Sequence, residues 1–100
     1  MVRHIILWTL KETDAESKKK IKRNAKEALE GLCGKVPSLR SIVVHTDPLP
    51  SSNCDMMLET LFDDAQGLQE YAVHPAHVEA ANTYVRPYTK TRSCFDFAVE

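Results

Sequence analysis

Residues 2–11, VRHIILWTLK, carry apolar side chains at both parities of an extended chain. Val2, His4, Ile6, Trp8 and Leu10 share one face, and Arg3, Ile5, Leu7, Thr9 and Lys11 share the other, because side chains alternate along a strand. A strand that is apolar on both faces needs something packed against each. One hundred residues bury roughly two-thirds of their unfolded surface, which makes one core and not two. The chain's own helices can cover one face, and the second face then calls for another molecule.

The remaining pattern supplies the helices. Thr13-Asp14-Ala15-Glu16 reads as a capping box with Thr13 as N-cap. The helix it opens puts Ile21, Ala25, Ala28, Leu29 and Leu32 on one stripe at spacings of three and four. Gly31 and Gly34 mark its end, Gly34 being the better position for a left-handed cap. Residues 39–46 read as a second strand, and residues 47–53, DPLPSSN, as a loop, since two prolines cannot sustain a ladder. Residues 54–62 form a third strand with Cys54, Met56, Leu58, Thr60 and Phe62 on its apolar face. Met56 and Met57 point to opposite faces and read as packing.

A short helix follows from Asp63-Asp64 to about Val73, with Leu68, Tyr71 and Ala72 inward. His74-Pro75 breaks and restarts the chain, since proline suits the first helical position and disfavours helix before it. A last helix runs to about Val85, with Val78, Ala81, Tyr84 and Val85 inward. Residues 91–99 form the last strand, with Phe95, Phe97 and Val99 on one face.

The order is β-α-β-β-α-β with the second helical region broken in two. That is the α+β, ferredoxin-like arrangement: a four-stranded antiparallel sheet with helices on one face. We expect residues 1–100 to make one domain. The uncovered sheet face, apolar at Ile5 and Leu7, predicts a homodimer through the sheet.

Composition removes several classes of function. Hydrophobic residues are 43% and charged residues 27%, ordinary values that exclude a disordered or collagen-like chain. No apolar run approaches the ~18 residues of a membrane span, and no signal peptide is visible. A cytoplasmic protein is expected, without a membrane partner. The three cysteines (Cys33, Cys54, Cys94) are odd in number and form no CxxC pair, so neither a disulfide framework nor a zinc ribbon is expected. Cys54 and Cys94 read as reduced core thiols.

Charge is uneven. Residues 1–50 hold ten Lys/Arg against six Asp/Glu, and residues 51–100 hold three against eight. Much of the first excess, Lys18 to Lys26, reads as the solvated face of the first helix. No Trp or Phe is interleaved with it, and the net charge is −1. No nucleic-acid partner is expected.

The opening HIILWTLK, the segment EYAVHPAHV at residues 70–78 and CFDF near the C-terminus together resemble the stress-responsive A/B barrel domain family, the dimeric α+β barrels. The resemblance spans essentially the whole chain. It implies a homodimer whose sheets face one another as a central barrel with the helices outside. No cofactor is expected. Most relatives have no assigned reaction. The site pattern also resembles that of plant polyketide cyclases of the olivetolic acid cyclase type: a histidine on the first strand, a tyrosine just before the HPAH segment and the second histidine of that segment. Those positions are His4, Tyr71 and His77. The pocket-lining apolar residues differ, Trp8 being bulky, so substrate identity does not carry over.

The residues themselves make such a site chemically reasonable. His77 falls in the first turn of the last helix, where unpaired N–H groups and the helix dipole disfavour an imidazolium. A neutral imidazole is what a general base needs near pH 7. With Tyr71 as a donor to a developing oxyanion and His4 as an orienting group, the three heads would suit an enolate or aldol reaction. Ile6, Trp8, His74 and Val78 are expected to line the pocket. His74 and His77 are three apart, but an extended residue before proline need not share a helix face with its neighbour. No third ligand stands at usual spacing, and no metal is expected.

Two functions remain open at this stage. One is a non-enzymatic homodimer that binds a small apolar or carbonyl-containing molecule in its pocket or serves as a stable scaffold. The other is a cofactor-independent cyclase-type enzyme with His77 as base. The related haem-degrading and quinol-forming monooxygenases would share the fold, but the HPAH segment speaks for the A/B barrel group.

Overall fold

In the computed structural model, which describes residues 1–99, the elements are β1 (Val2–Leu10), α1 (Ala15–Glu30), β2 (Leu39–His45), β3 (Met56–Phe62), α2 (Ala65–Val73), α3 (Pro75–Tyr84) and β4 (Thr89–Ala98), with a 3-10 turn at Arg86–Tyr88. The four strands form one antiparallel sheet in the order β2-β3-β1-β4. This is the ferredoxin-like α+β fold. Among the described residues no helix is long and apolar enough to cross a membrane.

The parity of β1 divides the molecule. His4, Ile6, Trp8 and Leu10 are buried toward the helices, while Arg3, Ile5, Leu7 and Thr9 are half-buried on the outer face. Register extends this division across the sheet. Ile6 stands opposite Leu58 on β3 and Cys94 on β4, and His4 stands opposite Thr60 and Asp96. The core is built from these even-face residues of β1 and β3 together with Val44, Ala25, Leu29, Leu32 and Tyr71. Thr60, fully buried, donates its hydroxyl to the His4 carbonyl at 2.9 Å and so satisfies itself inside the sheet. The outer face carries Ile5, Leu7, Met57, Leu61, Val43, Phe95 and Phe97, and no element among the described residues covers it. Phe95 is 67% exposed.

Several local expectations are corrected. The N-cap of α1 is Asp14, not Thr13. Asp14 Oδ2 accepts from the Ser17 amide at 3.0 Å and from the Ser17 hydroxyl at 2.9 Å. Glu12 Oε1, two residues earlier, takes the amides of Thr13 and Asp14. A carboxylate outcompetes a hydroxyl here because it carries charge to the positive helix end. At the other end the cap is Gly31 in right-handed geometry. Gly34 does adopt the left-handed region, φ 89°, but within the following turn. There the Val36 amide reaches back to the Leu32 carbonyl.

Tyr84 is exposed rather than inward. Ala72 is exposed, and Ala80 takes a buried place on α3 beside Ala81. Cys94 is exposed and Cys54 half-buried, so neither is a core thiol, and all three cysteines are free. The strand after the 47–53 loop begins at Met56, leaving Cys54 outside it, and the last strand begins at Thr89.

Candidate functional site

A cavity of about 340 Å³ lies between the sheet and the helices. Its apolar walls include Ile6 and Trp8 from β1, Leu58 from β3 and Val85 after α3. His4, Tyr71 and His77 all line it. Three different elements therefore deliver these side chains to one place. Strand parity turns His4 inward. The helical stripe of α2 buries Tyr71, which is 2% exposed. The proline restart at Pro75 sets His77 in the first turn of α3.

Tyr71 is the hub. Its ring lies 4.2 Å from that of His77, 5.2 Å from Phe62 and 6.3 Å from His4, centroid to centroid. Burial pushes its phenol well above the ordinary value, with only the charge of Arg92 acting the other way. Tyr71 therefore stays protonated and can donate a hydrogen bond throughout the physiological range.

His77 donates through Nδ1 to the Ala72 carbonyl at 3.2 Å, which leaves Nε2 with the lone pair in the neutral ring. Its pKa is lowered, chiefly by burial and then by the charges of Arg86, His4 and Arg92. The bond to Ala72 pulls the other way. The direction is the one expected from the sequence. Burial, an expected cause, leads, and the charges of Arg86 and Arg92, which the sequence did not single out, add to it.

His4 is held by a partner that sequence reasoning missed. Its Nδ1 lies 2.5 Å from Asp96 Oδ1. Cys94 Sγ lies 3.7 Å from the same nitrogen and 3.5 Å from the same carboxylate oxygen. This is no nucleophilic triad, since thiol and carboxylate compete for one ring nitrogen instead of occupying opposite ones. Burial and the adjacent Asp96 also raise the Cys94 thiol pKa, which disfavours a reactive thiolate. The three donor atoms fall within 4.8 Å of one another. They are the metal-capable grouping among the described residues, and here they are joined by hydrogen bonds.

Two residues assigned to the pocket lie elsewhere. His74 caps α3, its Nδ1 accepting from the Ala76 amide at 3.1 Å. Val78 is half-buried but lies outside the cavity wall. In their place the wall includes Arg86 and Arg92. The signal for Asp96 and Arg92 was present as strand parity, since both share a face of β4 with Cys94. It became readable only with the β1–β4 register.

A family model described as Stress Responsive A/B Barrel Domain matches residues 2–99. No curated protein matches the chain. Among solved structures, one resembling the chain is a dimeric protein of unknown function and ferredoxin-like fold from Bacteroides fragilis NCTC 9343. It is 30% identical, with a TM-score of 0.90 over 98% of this chain and 95% of that one. A dimeric ferredoxin-like protein of unknown function from Thermobifida fusca YX is 25% identical, with a TM-score of 0.80 over 98% of this chain and 90% of that one. A Dabb family protein with a ferredoxin-like fold from Mesorhizobium loti is 19% identical, with a TM-score of 0.76 over 99% and 96%. At that identity the likeness is one of fold.

Proposed function

Because the chain belongs to the stress-responsive A/B barrel domain family, we propose that it acts as a homodimer in which each protomer binds a small apolar or carbonyl-containing molecule. The dimer is supported by the uncovered outer sheet face, where Phe95 and Val43 are exposed, and by relatives described as dimeric. Closing two such faces together would form the central barrel and leave each pocket on the helix side of its own sheet. The observation that carries the binding reading is the convergence of His4, Tyr71 and His77 on one apolar-walled cavity. Concave apolar sites with a few convergent polar groups are where small ligands bind.

The test uses Trp8, which lines the cavity and is the sole tryptophan. Acetophenone, a neutral apolar carbonyl compound, should perturb Trp8 fluorescence saturably. Ala81→Phe, at a buried wall position, should abolish that response while circular dichroism stays unchanged. A linear, unsaturable response in the wild type would reject the binding reading.

Turnover is the second reading, and the tautomer of His77 is what favours it. A neutral ring with Nδ1 committed to Ala72 offers Nε2 to accept a proton from carbon next to a carbonyl. Tyr71 would donate to the oxyanion so formed, and His4 would orient it. Deuterium exchange at the α-carbon of a bound ketone, followed by NMR, would show this. The exchange should be lost in His77→Gln and retained in His45→Gln, which alters an exposed histidine paired with Glu59. No exchange above buffer would leave binding alone.

A further inference from the structure

The cavity is apolar along most of its wall, and two arginines are among its lining residues. Arg86 and Arg92 both line it, arriving from the 3-10 turn after α3 and from the edge strand β4. Residues 51–100 contain only three Lys/Arg, namely Arg86, Lys90 and Arg92. Two of those three stand at the cavity, inside the half of the sequence that is otherwise acidic.

Neither arginine forms an ion pair among the described residues. Arg86 uses Nη1 on the Asn82 side-chain oxygen, a neutral acceptor that leaves its charge uncompensated. The nearby carboxylate, Asp96, is engaged by His4 and does not line the cavity. Both cations act on the site, since each disfavours protonation of His77.

We infer that the pocket selects an anionic ligand, an apolar body ending in a carboxylate that is received between Arg86 and Arg92. This rests on the binding reading proposed above and adds the charge of the ligand to it. Guanidinium groups suit the role because their planar fork matches a carboxylate, and two residues of that type line the cavity. The cavity of about 340 Å³ lies at the small end of the range for ligand pockets, roughly 300–1,000 Å³. One aryl or short alkyl body with a single head group fits such a space.

The experiment compares 4-phenylbutyrate with 4-phenylbutan-1-ol on the full chain. The two share an apolar body and differ in head-group charge. Trp8 fluorescence and calorimetry report binding. The carboxylate should bind about tenfold more tightly, the scale of one charge-assisted hydrogen-bond contact, and its advantage should shrink as salt is raised. Arg92→Gln should bring the carboxylate toward the affinity of the alcohol and leave the alcohol unchanged, and Arg92→Lys should retain part of the preference.

Equal affinities in the wild type would overturn charge selection and leave the pocket reading standing. Absence of binding by either compound would overturn both. A carboxylate preference unchanged in Arg92→Gln and in Arg86→Gln would overturn the assignment to these residues.

Discussion

His74 and His77 stand three residues apart and use the same ring nitrogen in opposite senses. His74 Nδ1 accepts from the Ala76 amide, and His77 Nδ1 donates to the Ala72 carbonyl. One is therefore a helix cap, and the other is a cavity side chain with its lone pair on Nε2. The sequence showed both as candidates because residue type and spacing do not record which nitrogen is engaged. A pH prediction follows for His77. Its folded pKa is lowered, so the unfolded chain binds the proton more readily. Stability is then full above the unfolded value of about 6.5 and declines as pH falls from there through the lower folded pKa. NMR titration should place His77 below 6.5. Denaturation measured across that window should show a shallower loss in His77→Gln than in the wild type. A His77 that titrates at or above 6.5 would remove the base from the second reading.

At the scale of elements, alternation and helical spacing made the strand and helix order readable, because β1, α1 and β3 carry unbroken periodic patterns. The ends were less readable. Thr13 and Asp14 are both good caps by residue type, and the charged Asp14 side chain is the one that receives the Ser17 amide, while Glu12 takes the Thr13 and Asp14 amides. Asp14→Ala should lower the melting temperature by a few degrees, whereas Thr13→Ala should leave it nearly unchanged. The reverse order would restore Thr13 as the cap. Gly34 gives a separate test. A Cβ there would meet open space, so Gly34→Ala isolates the backbone cost of a left-handed residue, roughly 1–2 kcal/mol. Gly34→Asn should cost less, and equal stability of all three chains by urea denaturation would contradict the geometry. β4 was the least readable element for the site. The sequence identified Phe95 and Phe97 as an apolar face, but the contact of Asp96 with His4 depends on pairing across 92 positions of chain, which no local pattern encodes.

The whole molecule has two apolar regions of different kinds: a core and cavity on one side of the sheet and an uncovered surface on the other. For the proposed dimer, light scattering at micromolar concentration should give twice the chain mass. Ile5→Glu would place a charge from each protomer near the interface, at a cost of several kcal/mol. Phe95→Glu is the cleaner variant, since Phe95 is 67% exposed in the single chain and its loss removes little from the core. Both variants should dissociate, and a monomeric wild type would end the proposal. The pairing of β4 with β1 ties these two regions together. In the observed register the even residues Arg92, Cys94 and Asp96 face the helix side, and Phe95 and Phe97 face outward. Sliding β4 by one position would exchange the sets, putting two phenylalanines against the cavity and three polar side chains on the would-be interface. A single inserted residue in the turn before β4 would therefore damage ligand recognition and self-association in one step. Lineages that alter one of these properties by insertion have to re-solve the other, and length changes should be rarer in that turn than in the 47–53 loop.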